Sequence, residues 1–270
     1  MFPLTSMELG KDFELARSLL FGHLPLAVTS KNPAAFLNAY INTYLKEEIQ
    51  AEGLTRNLPN FARFLQVASF SQASPLVVAN VAQEIGIERK IVEDYFSILR
   101  DLLLSIELPI FSKRKKRELI TKNKFFYFDV GVFRSIRPKG PLDSTAEING
   151  PALETLLLQE IKALNSYLAT EYEISYWHTR KHLEVDLILY GPRGFIAIEI
   201  KASKRLRPLD FESLKEFRND YPEDQTYIVY LGAETRNHEG FSVIPAETFI
   251  KELPLLLKSG KFKEIEAPDF

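Results

Sequence analysis

The stretch that most constrains this chain is residues 182–203, HLEVDLILYGPRGFIAIEIKAS. Two runs of strand-forming residues flank Gly191-Pro192-Arg193-Gly194, which reads as a β-hairpin. Four charges interrupt the runs. Because side chains alternate along a strand, Glu184 and Asp186 share a face, as do Glu199 and Lys201, while Val185, Leu187, Ile198 and Ile200 point the other way. With residues 191–194 as the turn, Tyr190 faces Phe195, Asp186 faces Glu199 and Glu184 faces Lys201. Directly opposed Cβ atoms lie roughly 4.5–5.5 Å apart, so the Glu184–Lys201 pair is favourable and the Asp186–Glu199 pair repulsive. A hard divalent cation between the two acids would turn that repulsion into coordination. The competing readings are a solvated face on which both acids stay hydrated, and a bulge that shifts the register by one.

The rest of the chain is long enough to surround such a site. At 270 residues, 46% of them hydrophobic, it can bury a full core and is expected to form more than one domain. Net charge is −2, yet residues 1–140 carry 19 Lys and Arg against 14 Asp and Glu, and residues 141–270 carry 15 against 22. A basic first part joined to an acidic second part suits a nucleic-acid-facing module attached to one whose carboxylates have another use. The chain has no cysteine, which excludes disulfides and thiolate metal sites. No apolar run approaches the roughly 18 residues of a membrane span, so the expectation is a soluble cytoplasmic protein with no membrane partner.

Periodicity divides the chain into three parts. Residues 1–73 read as a helical region, with Phe36, Leu37, Tyr40, Ile41, Tyr44 and Leu45 on one face and Gly22 and Pro25 marking a break. Residues 74–140 read as a winged helix-turn-helix. One helix is capped by Ser74 with Pro75 at its first position and stopped at Gly86; a second carries Ile91, Tyr95, Ile98, Leu99 and Leu102 inward. The latter presents Arg89 and Lys90 at its start, where a recognition helix meets the DNA major groove. Two β-like runs follow, SIELPIF and ELITKNKFFYF, joined by a tip in which Lys113, Arg114, Lys115, Lys116 and Arg117 could neutralise phosphates. A solvated loop is the plainer reading of such a run. Residues 138–150, PKGPLDSTAEING, form the boundary, and residues 141–270 then alternate helix and strand. The whole is expected to be an α/β (α+β) protein.

A further acid precedes the hairpin. In NGPALETLLLQEI, Gly150 and Pro151 set a helix start, and Leu157, Leu158 and Ile161 follow Glu154 on the same face, which puts Glu154 on the buried side. Its plainer reading is an acid favoured in a first helical turn by the dipole. Glu160 is the second choice.

A helix beginning Gly-x-x-x-Glu (Gly150, Glu154), a strand with Glu-Val-Asp (184–186) and a strand with Glu-x-Lys (199–201), followed by a helix and another strand, resemble the PD-(D/E)XK, restriction-endonuclease-like nuclease core. Together with LPLAV, AYINTYLKEEI and YFDVGVFRSI, the motifs resemble the uncharacterised domain C-terminal to the ATPase in archaeal and bacterial AAA-type ATP-binding proteins. The likeness runs from about residue 15 to 255. It implies an αβββαβ core in which Asp186 and Glu199 ligate Mg²⁺ or Mn²⁺, Lys201 positions the attacking water and stabilises charge on phosphate, and Glu154 is an auxiliary metal ligand. It also implies DNA as substrate and leaves open an ATPase subunit as a partner in trans. No Gly-x-x-x-x-Gly-Lys-Ser/Thr loop occurs in the chain, so it is not expected to be an ATPase on its own. The alternative is a catalytically inactive module that binds DNA or a partner, or regulates a detached ATPase.

Overall fold

A computed structural model describes residues 2–44, 49, 57–113, 122–141, 143–222 and 224–262. The basic-tip residues Arg114, Lys115, Lys116 and Arg117 lie outside the described residues, as does Leu45. The fold is mixed α/β, with two sheets of three and six strands among the described residues. The chain forms two compact units. One comprises residues 1–4, 16–107 and 122–156, and the other 5–15, 108–121 and 157–270.

The first unit opens with helices α2 (Leu15–Phe21), α3 (Pro25–Thr29) and α4 (Pro33–Ala39), α1 (Ser6–Leu9) belonging to the other unit. The helical spacing read around residue 36 holds through Leu37 and Ile41, which are buried, and the backbone widens into a π-helical turn over Tyr40–Tyr44. The break at Gly22 has a specific cause. Gly22 has φ +65, and a Cβ there would collide with the Asp129 carboxylate. Asp129, fully buried, accepts the backbone N–H of His23 at 2.8 Å and those of Gly131 and Val132 at 2.8 and 3.0 Å, capping α8 (Val130–Ile136).

Helices α5 (Leu58–Ala68), α6 (Val78–Ile85) and α7 (Arg89–Asp101), with strands β1 (Ser74–Pro75), β2 (Ser105–Leu108) and β3 (Lys124–Tyr127) in sheet order β1-β3-β2, follow the winged-helix sequence of elements. Phe61, Phe64, Tyr95, Phe96 and Phe125 form an aromatic core of edge-to-face and tilted pairs with centroids 4.8–5.5 Å apart. Two local expectations fail here. Ser74 and Pro75 do not cap α6; they pair with Phe125 and Lys124 of β3, and the helix begins only at Val78. On α7 the buried stripe is Val92, Tyr95, Phe96, Ile98 and Leu99, which leaves Ile91 exposed. The aromatic core draws in Phe96, and the helix turns by about one position to place it there.

Helix α9 (Thr145–Tyr167) starts before Gly150 and Pro151, because Ser144 Oγ accepts the Glu147 N–H at 3.3 Å and sets the first turn six residues earlier than expected. Pro151 is therefore inside the helix, where it removes one backbone hydrogen bond. The unit division falls within α9, between Leu156 and Leu157.

The second unit is built on the six-stranded sheet β4 (Glu173–His178), β5 (Glu184–Gly191), β6 (Gly194–Lys201), β7 (Gln225–Tyr230), β9 (Phe241–Pro245) and β8 (Arg236–His238), in that spatial order. Strand β6 is antiparallel to β5 and parallel to β7, which is parallel to β9. With α9 before and α10 (Glu212–Asp220) between β6 and β7, the order is αβββαβ as expected, extended by β8, β9 and α11 (Ala246–Ser259). Trp177, Val185, Ile188, Ala197 and Ile228 of the sheet pack with Phe211, Leu214 and Phe217 around α10 in one buried cluster. Leu108–Lys113 belong to this unit. Phe111 donates its N–H to the Tyr176 carbonyl at 2.6 Å, and Tyr176 donates to the Pro109 carbonyl at 2.9 Å, so this segment lines the edge strand β4.

Candidate active site at the end of strand β6

The hairpin register is the one the turn dictates: Tyr190 pairs with Phe195 and Gly191 with Gly194. It holds only as far as Leu187–Ile198. Beyond that point the expected Asp186–Glu199 and Glu184–Lys201 cross-strand pairs do not form. On the β4 side, Ser175 pairs with Ile188 but Trp177 pairs with Val185, so three residue steps on β5 match two on β4. That is a β-bulge with one extra residue at Asp186–Leu187, and a bulge re-aims the side chains next to it.

The bulge brings the Asp186 side chain to the backbone of β6. Its Oδ2 accepts the N–H of Ile200 at 2.7 Å, which satisfies a donor where the ladder has ended. Glu199 pairs across β6–β7 with Ile228 and is 4% exposed. Alternation along β6 places Glu199 and Lys201 on the same face as Ala197, the face that packs with α10. Lys201 Nζ donates to Glu199 Oε1 at 2.5 Å. Glu199 Oε2 is buried and has no hydrogen-bond partner.

Burial, and secondarily the charge of Asp186, raises the Glu199 carboxyl well above the usual carboxylate range. For Lys201, burial works to lower the pKa, but the charges of Glu199 and Asp186 outweigh it and hold the ammonium above its ordinary value. The cluster is a partly open end of strand with two acids, one unsatisfied oxygen and a stable cation; the Lys201 side chain is 29% exposed. Such an end, where β6 turns from an antiparallel to a parallel neighbour, is where open α/β sheets place ligands.

Other polar groups flank it. Glu184 lies across from His178 on β4, with His178 Nδ1 3.3 Å from its Oε2, and donates its backbone N–H to Ser213 Oγ at 3.3 Å. Asp210, buried in the 3₁₀ turn Pro208–Phe211, accepts the Arg207 N–H at 2.7 Å and acts on Lys201 through its charge. Neither His178 nor Asp210 stands out in the sequence. The one signal available is Arg207-Pro208-Leu209-Asp210, a helix-start pattern with a capping acid, which points to structure and not to a site.

The remaining sequence candidates have the following contacts. Glu154 belongs to the first unit and receives Lys124 Nζ at 2.7 Å; the lysine is fully buried. Glu160, also fully buried, accepts the N–H and the hydroxyl of Ser6 at 2.8 and 2.9 Å. Arg89 and Lys90 are exposed at the start of α7, each in an i,i+4 ion pair, with Glu93 at 2.8 Å and Asp94 at 3.3 Å. Lys113 pairs with Glu173 at 2.9 Å and lies 4.0 Å over the ring of Tyr190, and its carbonyl accepts the Tyr221 hydroxyl.

Among the described residues no group of three or more His, Cys, Asp or Glu side chains is placed to hold a metal ion. The site therefore offers two hard carboxylates, Asp186 and Glu199, which is within what Mg²⁺ uses when water and substrate phosphate complete its shell. The buried unpartnered Oε2 of Glu199 is the observation that fits such an ion.

The chain is similar to two protein families. A domain of unknown function (DUF8612) matches residues 12–143, and a second domain of unknown function (DUF4143) matches residues 149–249. The second is commonly found in AAA-ATPase-associated proteins. Its span contains Glu154, Asp186, Glu199 and Lys201, and the gap between the two matches lies within residues 138–150. No curated protein and no solved structure matches the chain.

Proposed function

We propose that the chain is a nuclease-like protein that hydrolyses DNA phosphodiester bonds with Mg²⁺ or Mn²⁺ at Asp186, Glu199 and Lys201. The observation that carries this reading is the unsatisfied buried Oε2 of Glu199 beside Asp186 and the Lys201 ammonium. Asp186 and Glu199 would hold the ion, which supplies Lewis acidity at the phosphoryl oxygen and lowers the pKa of a bound water. Lys201 keeps its proton at neutral pH. Its Nζ is suited to orient the attacking water and to stabilise the extra negative charge that phosphate gains as the water oxygen bonds to phosphorus, the P–O ester bond breaks and the sugar oxygen leaves to take up a proton from water. Asp210 helps keep that ammonium charged, and Glu184 holds β5 against His178 and Ser213. The winged-helix unit would carry the DNA, with Arg89 and Lys90 at the start of α7.

A second reading is a catalytically silent module that serves an AAA-type ATPase in trans. It is favoured by Lys113, whose charge is engaged by Glu173 and the Tyr190 ring, and by the acids that pair Arg89 and Lys90. The two separate in one assay. Purified protein is incubated with supercoiled and linear DNA and Mg²⁺ or Mn²⁺, alongside Asp186→Ala and Lys201→Ala. Nicking lost in both folded variants supports the nuclease; metal-dependent cleavage that survives both overturns it, and no cleavage at all favours the silent module.

A further inference from the structure

The motif YFDVGVFRSIRPKG leaves three cations outside the proposed nuclease site. Arg134, Arg137 and Lys139, at and beyond the end of α8, line a cavity of about 260 Å³ in the first unit, together with Ser135, Leu20 and Phe21. Arg137 is 8% exposed, yet its Nη1 has no partner. Arg134 Nε is likewise buried and unpartnered. A buried guanidinium N–H without an acceptor is costly, and native structures seldom leave one unless something fills the role.

Among the described residues the acceptors are too few. Arg134 Nη1 donates to the neutral Asn149 Oδ1 at 3.0 Å, and Arg137 Nη2 donates to Asp143 Oδ1 at 3.2 Å while its guanidinium stacks 3.6 Å over Phe70. Among the described residues, three cations against one carboxylate leave an excess of +2 around the cavity. Burial lowers the basicity of Arg134 and Lys139, and for Lys139 the charge of Arg134 adds to it.

We propose that this cavity binds a terminal phosphate, the dianionic group of a phosphate monoester or of inorganic phosphate. Charge separates this from the alternatives. A carboxylate or a backbone phosphodiester brings one negative charge, whereas a monoester brings about −1.5 to −2 at neutral pH and matches the excess. Guanidinium forks suit phosphate oxygens, the Ser135 hydroxyl adds a neutral donor, and Leu20 and Phe21 offer an apolar wall to whatever the phosphate is attached to. The site does not depend on the nuclease reading.

Isothermal titration of the full chain at fixed ionic strength tests it, with inorganic phosphate and a nucleoside 5′-monophosphate as probes and the unphosphorylated nucleoside as control. Saturable binding of one phosphate per chain is expected, with none of the nucleoside. Arg134→Gln should weaken it at least about tenfold, the scale of a lost charged hydrogen bond. Lys139→Gln, at an exposed position, should weaken it several-fold without disturbing the fold, as circular dichroism would verify. Equal affinity for both probes identifies the phosphate group alone as the ligand, and tighter binding of the monophosphate identifies a nucleotide. Absence of saturable binding by either probe, or unchanged affinity in a folded Lys139→Gln variant, overturns the proposal.

Discussion

Asp186 Oδ2 accepts the backbone N–H of Ile200 across a ladder that has already ended at Leu187–Ile198, so a side chain does the work of a missing strand carbonyl. The same carboxylate neighbours Glu199 and Lys201. Substitutions can separate its two duties. Asp186→Asn keeps an acceptor for Ile200 and should change stability by less than about 1 kcal/mol, while Asp186→Ala should cost roughly 1–3 kcal/mol. Both should abolish metal-dependent cleavage. Urea denaturation beside the cleavage assay checks this, and equal stability of the two variants would contradict the hydrogen-bond role.

Glu199 is expected to trade stability for function. Its buried carboxylate is raised well above its usual range and has an unsatisfied oxygen, so Glu199→Gln should melt at the wild-type temperature or higher at neutral pH while losing activity. A melting temperature lowered by several degrees would show that the Glu199–Lys201 contact holds the fold.

The Lys124–Glu154 pair should be structural. Removing one partner, as in Lys124→Met or Glu154→Gln, breaks a buried ion pair and should cost about 3–5 kcal/mol, and replacing both by apolar residues should recover most of that loss. Equilibrium unfolding of the two single variants and the double variant measures it. If Glu154→Gln removes metal binding with no loss of stability, the auxiliary-ligand role carried by the family resemblance is the better account.

Glu107 gives the winged-helix unit a pH dependence. Burial works to raise its pKa, but hydrogen bonds from Arg100 at 2.6 Å and Asn123 at 3.0 Å, with the Arg100 charge, lower it overall. A folded-state pKa below the unfolded value adds stability that is present above the ordinary carboxylate value, near 4.3, and lost as pH falls through the folded value. The stability difference between wild type and Glu107→Gln should therefore stand at pH 7 and shrink below about pH 4. A difference constant from pH 7 to pH 3 would exclude this.

The hairpin was legible because its turn is local: Gly191 and Gly194 set the register from Tyr190–Phe195 to Leu187–Ile198. The bulge at Asp186–Leu187 was not, since it is defined against Ser175 and Trp177 on a separate strand and nothing in EVDLIL marks where the extra residue falls. The same limit hid the partner of Glu154. Its burial followed from helical spacing, but Lys124 is long-range, and the only hint was a lysine opening the apolar run KFFYF. Ser144 overrode Pro151 as the start of α9 because a cap satisfies donors that a proline merely lacks. The helix-turn-helix and the αβββαβ order were readable from periodicity. Ile91 was misplaced because Ile91 and Val92 fit the stripe equally well until Phe96 and its aromatic neighbours choose between them.

Binding of a divalent cation by Asp186 and Glu199 is measured most directly by Mn²⁺ titration followed by electron paramagnetic resonance. One Mn²⁺ site per wild-type chain, displaced by excess Mg²⁺ and absent from folded Asp186→Asn and Glu199→Gln, is the predicted result. No bound Mn²⁺ in the wild type, or a site that persists in both variants, would contradict it.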